Sequence, residues 1–193
     1  MNIESKITKN TILFFDMDGT LVDTNYANFL SYKKAIQSVT NEHTDLIYNP
    51  EQRFDRTELR RTIPGLSISE YENIINEKER CYNNFLSETK LIKEMFDILC
   101  KYSKTNKTAL VTNCRENRAM ETLKYHSLED KFSNIFCRQL SDNTVHINKF
   151  SNAIAKLNIL PQSIIVFENV KIEIDDAIRA GIPSDNIVEL INL

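Results

Sequence analysis

No apolar run in this 193-residue chain approaches the length of a membrane span, and Met1 to Asn10 carries no apolar signal-peptide core. The expectation is a cytoplasmic protein with no membrane partner. Cysteine is sparse: Cys81, Cys100, Cys114 and Cys137 stand far apart with no CxxC pair. Such spacing argues against both a zinc site and a disulfide framework, and leaves the four as small core residues. Cationic residues do not predominate either, since 24 Lys and Arg against 27 Asp and Glu leave a formal net charge of −3. With no Lys/Arg cluster standing out, nucleic acid is not expected as a partner, and any phosphate recognition has to be local. Internal repeats and low-complexity tracts are absent, and a monomer or small homo-oligomer is expected. Glycine is scarce, three in the whole chain, and each one punctuates a pattern.

What is present is an ordinary globular composition, 41% hydrophobic and 26% charged, long enough to bury a sizeable core. The most informative stretch runs from Ile12 to Asp23. Ile12-Leu13-Phe14-Phe15 is continuously apolar, as expected of a parallel strand covered on both faces. It ends in Asp16-Met17-Asp18, whose two carboxylates can share one side at strand spacing, with Gly19 supplying a sharp exit. Two like charges this close repel, so a divalent cation beside them or a proton on one of them is expected. The plainer alternative is an Asp-rich turn whose carboxylates cap backbone amides. An EF-hand loop is excluded, because neither the alternating oxygen ligands nor the closing Glu follows.

After Asp23 the pattern turns helical for roughly seventy residues. Tyr26, Phe29, Leu30, Ile36 and Val39 recur at helical spacing, with Asp23 or Thr24 as N-cap. Asn41 to Pro50 reads as a turn region. Phe54, Leu59 and Ile63 mark a short helix stopped by Pro64-Gly65, and Ser67 with Glu70, or Ser69 with Glu72, offers a capping box for the next. That helix carries Tyr71, Ile74, Ile75, Cys81, Tyr82, Phe85 and Leu86, and a further one Leu91, Met95, Ile98, Leu99 and Tyr102. Strands and helices then alternate: strand 108–112, helix 115–125, strand 134–137, helix 149–158, the apolar run Ile164-Ile165-Val166-Phe167, helix 172–180 stopped by Gly181, and a last strand 187–191. The fold class expected is α/β, a doubly wound Rossmann-like parallel sheet with a small all-helical insert after the first strand. The expected domains are 1–23 with 92–193 for the core and 24–91 for the insert.

In such sheets ligands bind at the carboxyl ends of the strands, so three further places matter. Thr112-Asn113-Cys114-Arg115 follows Ala109-Leu110-Val111 and opens a helix, where a hydroxyl and an amide either hydrogen-bond a phosphate oxygen or simply cap the helix. Lys149 opens the helix that carries Phe150, Ala153, Ile154 and Leu157, a position that is ordinarily solvated surface. Phe167-Glu168-Asn169-Val170 ends the second clear buried run.

Asp16-Met17-Asp18-Gly19-Thr20 followed by Leu21-Val22-Asp23 resembles the first motif of the haloacid dehalogenase superfamily, in its phosphatase-type form. Thr112 matches the second motif, with Asn113 as companion and Arg115 nearby; Lys149 matches the third, although the Lys-Pro dipeptide of many relatives is replaced by Lys149-Phe150; Glu168 matches the first acid of the fourth. Asn169 departs from it, standing where an Asp is usual, and Glu173 one turn later could compensate, with Asp175 and Asp176 read as solvated.

The resemblance implies a magnesium-dependent phosphatase of a small phosphorylated metabolite, working through an aspartyl-phosphate. By that resemblance Asp16 is nucleophile, Asp18 general acid and base, and Lys149 the cation that neutralises the transferring group. Thr112, Asn113 and Thr20 would bind substrate or position the loop. Mg2+ would be held by Asp16, the Asp18 carbonyl, Glu168 and Asn169. The insert would be a cap, whose Arg53, Arg56, Arg60 and Arg61 either meet the substrate or form a solvated face. Alternatives are a phosphomutase like β-phosphoglucomutase and a catalytically weak binding or regulatory protein, for which Asn169 is the motive. Asp18 argues against a dehalogenase.

Overall fold

The computed structural model describes residues 3–40, 45–138 and 147–190. The chain divides into two compact units, Met1–Val22 with Leu91–Leu193, and Asp23–Lys90 between them. Asp23 thus falls with the inserted unit and Leu91 with the outer one, each a residue from the junction expected. There the two-residue strands β2 (Val22–Asp23) and β3 (Lys90–Leu91) pair.

The outer unit is built on a five-stranded parallel sheet of order β5-β4-β1-β6-β7, from β1 (Ile12–Phe15), β4 (Thr108–Val111), β5 (Asn134–Phe136), β6 (Ile164–Glu168) and β7 (Ile187–Glu189). The last strand is shorter than expected, and Ile191 lies outside the described residues. The unbroken apolar runs have a direct cause. Leu13, Phe15, Leu110, Ile165 and Phe167 pack on one face against Met95 and Leu99 of α4 (Lys93–Tyr102) and Ala119 and Leu123 of α5 (Glu116–Tyr125). Phe14, Ala109, Val111, Ile164 and Val166 pack on the other, against Phe150 and Ala153 of α6 (Lys149–Leu157) and Ala177 of α7 (Lys171–Arg179). A strand covered on both faces has no position left for a polar residue until it ends. Phe15 is level with Leu110 on one side and Phe167 on the other, which brings Asp16, Thr112 and Glu168 to the same edge of the sheet.

The inserted unit is helical: α1 (Asn25–Thr40), α2 (Arg56–Thr62), α3 (Ile68–Cys81) and a 3-10 segment, Tyr82–Glu88. Its own core gathers Phe29, Tyr32, Ile36, Phe54, Leu59 and Ile74, and the buried Asn28 side chain donates to the Phe54 carbonyl at 2.6 Å. Ser67 with Glu70 forms the capping box of α3, so the register through Ser69 and Glu72 is not the one used. Two expectations are corrected here. Leu91 belongs to β3 and not to the helix that follows, and Tyr82, Phe85 and Leu86 lie in the 3-10 segment beyond the end of α3.

Candidate active site

Asp16 is the first residue past β1, its amide still donating to the Phe167 carbonyl at 3.1 Å, and its side chain is buried. Lys149 reaches it from the start of α6. That start is fixed by Asn148, whose Oδ1 accepts from the amides of Phe150 and Ser151 and whose Nδ2 donates to the Asp176 carbonyl at 2.7 Å. A lysine at a helix start is ordinarily solvated, but this one is only 6% exposed. Its ammonium lies 2.9 Å from Asp16 Oδ1, 2.7 Å from Glu168 Oε2 and 3.6 Å from Glu173 Oε2.

Three carboxylates therefore converge on a single buried ammonium. Burial alone would lower the pKa of Lys149, yet Asp16, Glu168 and Glu173 together outweigh it and hold the group above the ordinary lysine value. Glu168 is pushed up to about 7, first by burial and then by the neighbouring Asp16 charge, with Lys149 opposing. Its other oxygen, Oε1, accepts the amides of Asn169 and Val170 at 2.9 and 3.0 Å and so shapes the turn into α7.

The charges do not balance. Three carboxylates and one ammonium leave a formal −2 in a buried cluster, and Glu173 Oε2 is buried without a hydrogen-bond partner. Both observations fit a hard divalent cation held by carboxylate oxygens. The chelate is not preformed: among the described residues no group of three acid, histidine or cysteine side chains stands ready around one point.

The remaining sequence-singled residues lie close by, in ways the sequence does not reveal. Asn169 accepts through Oδ1 from the Thr20 hydroxyl at 3.2 Å, so Thr20 is tied to Asn169. Gly19, at φ +81°, is where any Cβ would stand 2.4 Å from the Asn169 amide nitrogen. Asn113 donates to Glu173 Oε1 at 2.7 Å. The buried Thr112 hydroxyl accepts from the Cys114 amide at 3.2 Å, a local turn; the plainer reading of a helix cap is not met, because α5 starts later, with Arg115 at its N-cap and no side-chain cap bond. Arg115 precedes α5, its Nε buried without a hydrogen-bond partner. Asp176, read as solvated, is buried and ion-paired with Arg179.

One residue escapes sequence reasoning altogether. Arg118, on α5, holds Asp18 in a fork: Nη2 to Oδ2 at 2.9 Å and Nη1 to Oδ1 at 3.3 Å, with both side chains buried. Two acids this close favour a cation beside them, which was the only available signal; the partner could not be chosen from among the arginines. In the inserted unit, Arg61 forks onto Glu58 and Arg60 stacks on Tyr71 at 4.4 Å, while Arg53 and Arg56 are half-buried.

Comparison with known proteins bears on the whole chain. The family model described as haloacid dehalogenase-like hydrolase matches residues 13–186. A protein of Thermotoga maritima named phosphorylated carbohydrates phosphatase is 26% identical over 181 residues, which cover 88% of this chain and 81% of that one. Among solved structures, CbbY from Rhodobacter sphaeroides in complex with phosphate superposes with a TM-score of 0.75 at 13% identity, covering 94% of this chain and 86% of CbbY. A HAD-superfamily hydrolase of subfamily IA from Geobacter sulfurreducens gives 0.69 at 17% identity, with 95% and 88% covered. At these identities the likeness is one of fold. No helix among the described residues is long and apolar enough to cross a membrane.

Proposed function

The chain belongs to the haloacid dehalogenase-like hydrolases, and from that premise we propose that it is a magnesium-dependent phosphatase of small phosphorylated metabolites, sugar phosphates first among them. The observation that carries this reading is the Lys149 ammonium bridging Asp16 and Glu168 at 2.9 and 2.7 Å across the carboxyl edge of β1 and β6. A nucleophilic carboxylate must meet an anionic phosphoryl group, and a buried cation at its side lowers the repulsion.

In this mechanism an Asp16 oxygen attacks phosphorus, the ester P–O bond breaks, and the leaving alkoxide takes a proton from Asp18. Water then attacks the phosphorus of the aspartyl-phosphate and gives its proton to Asp18. Inorganic phosphate leaves and Asp16 is restored. Lys149 stays charged throughout, as its raised pKa demands. Thr112 and Asn113 receive phosphate oxygens, the Thr112 hydroxyl by turning from the Cys114 amide. Magnesium, held by Asp16, the Asp18 backbone carbonyl and Glu168 with Asn169 or Glu173, would supply further positive charge against the incoming phosphoryl group. The helical unit would serve as the cap, as in capped relatives.

The sugar-phosphate preference rests on the Thermotoga relative's name. A panel of phosphate esters assayed with magnesium tests the proposal. Free phosphate should be released, and Asp16→Asn should abolish release without altering the circular dichroism. Release from no member of the panel, or full activity of Asp16→Asn, would overturn it. A requirement for a bisphosphate activator with little free phosphate would instead identify a phosphomutase.

A further inference from the structure

Resting on the phosphatase reading, we propose that Arg118 is the positioning residue for Asp18. The carboxylates of the site are shared between two cations. Lys149 gathers Asp16, Glu168 and Glu173, and Arg118 takes Asp18 through two separate N–H donors. A guanidinium fork fixes the plane of a carboxylate as well as its distance, which a lysine's rotating ammonium does not.

The fork stands on a rigid support. Arg118 lies in the first turn of α5, whose Ala119, Thr122 and Leu123 are fully buried, and the Thr122 hydroxyl donates to the Arg118 carbonyl at 2.8 Å. The Asp18 side chain is 8% exposed and that of Arg118 is 9% exposed, so water contributes little to fixing either one. The two arms are unequal: Oδ2 is held at 2.9 Å and Oδ1 at 3.3 Å. Oδ2 is the more closely held oxygen of the two.

The consequence differs between substrates. An aryl phosphate has a weakly basic leaving group that departs without a proton, so Asp18 works only in the second step, where water attacks phospho-Asp16 and its proton passes to Asp18. An alkyl phosphate needs Asp18 in both steps. Loss of the fork should thus slow hydrolysis of phospho-Asp16 for either ester, and slow its formation only from the alkyl one.

The test compares wild-type protein, R118A and R118K on p-nitrophenyl phosphate and on an alkyl phosphate, with trapping of phospho-Asp16 and with beryllium fluoride binding followed by fluorine NMR. In R118A, kcat on either ester should fall about ten- to hundredfold, within what a positioned acid–base group contributes. On the aryl ester KM should fall in step, leaving kcat/KM within about twofold, and phospho-Asp16 should accumulate. On the alkyl ester kcat/KM should fall as well. R118K, which keeps the charge and loses the fork, should lie between; if R118A does not fold, R118K alone decides, by accumulation of phospho-Asp16. Wild-type rates in the variants, or an aryl kcat/KM that falls as far as kcat with no phosphoenzyme trapped, would overturn the assignment while leaving the phosphatase intact. A wild-type protein that neither releases phosphate nor binds beryllium fluoride would overturn the phosphatase reading itself, and the role of Arg118 with it.

Discussion

The Thr20 hydroxyl donates to Asn169 Oδ1 at 3.2 Å, a bond that joins the turn after β1 to the turn after β6 across 149 positions of the chain. It draws the Asn169 amide so close over Gly19 that a methyl group there would stand 2.4 Å from Nδ2, at a φ of +81°. Gly19→Ala should therefore carry two separable costs. The left-handed backbone accounts for about 1–2 kcal/mol, and displacement of Asn169 for the rest. Urea denaturation of Gly19→Ala, Asn169→Ala and the double variant separates them: the double variant should be less unstable than the two single losses added together. Strict additivity would mean that the Asn169 side chain yields without cost.

Lys149 is the electrostatic centre of the site, and its removal should affect stability as well as turnover. Lys149→Met leaves Asp16, Glu168 and Glu173 facing one another without the ammonium they share. Breaking a buried ion pair from one side costs about 3–5 kcal/mol, and activity should vanish. Urea denaturation in chelator-treated buffer checks the first and phosphate release the second. A divalent cation that fits the cluster should recover part of the lost stability by binding only the folded chain. Unchanged stability would mean that Lys149 does not hold the cluster together.

Glu168 makes the metal-free protein sensitive to pH. Its pKa is raised from the ordinary carboxylate value to about 7, chiefly by burial. The folded state therefore holds this proton more tightly than the unfolded chain between about pH 4.5 and 7. The unfolding free energy must then fall as pH rises through that window, because the unfolded state binds fewer protons there. The favourable contribution is complete below the window and is lost above it. Melting temperatures of wild type and Glu168→Gln in chelator-treated buffer from pH 5 to 8 test this. The difference between the two curves isolates Glu168 from His126, whose pKa burial lowers and whose contribution runs the opposite way. Parallel curves would show that Glu168 carries no excess proton.

How much of this was legible in the sequence follows from how far apart the interacting residues lie. Runs such as residues 12–15 and 164–167 announce themselves because burial on both faces favours an unbroken apolar stretch, a pattern that is local. Asp16 and Glu168 stand out because acid follows abruptly where each apolar run ends, although both side chains are themselves buried. Arg118 with Asp18, and Asn113 with Glu173, pair across 100 and 60 positions. Local pattern says nothing of such partners, since either arginine of the segment 115–118 suits the spacing. Leu91 misleads for a related reason: its apolarity extends the periodicity of Met95 and Leu99 backwards, yet the residue lies in β3.

The resemblance to the haloacid dehalogenase motifs implies an Asp where Asn169 stands, and magnesium titration tells which residue would make up that charge. The structure shows Asn169 engaged with Thr20, and Glu173 with one oxygen on Asn113 and the other buried without a hydrogen bond. If Glu173 is the compensating ligand, Glu173→Gln removes a charge from the cation's surroundings and should raise the magnesium needed for half-maximal phosphate release by about ten- to hundredfold, the equivalent of 1.5–3 kcal/mol for a charge-assisted contact. Asn169→Asp in the same background would then gain little, because Thr20 still holds that side chain and a fourth carboxylate adds repulsion to a cluster already at a formal −2. If Asn169 is itself a weakened ligand, the pattern reverses: Asn169→Asp lowers the magnesium requirement and Glu173→Gln leaves it nearly unchanged. The Glu173 oxygen that accepts no hydrogen bond makes the first pattern the expected one. Magnesium binding measured by calorimetry on the same variants separates a change in metal affinity from a change in chemistry. A metal requirement that neither substitution moves would remove this turn from the metal site altogether.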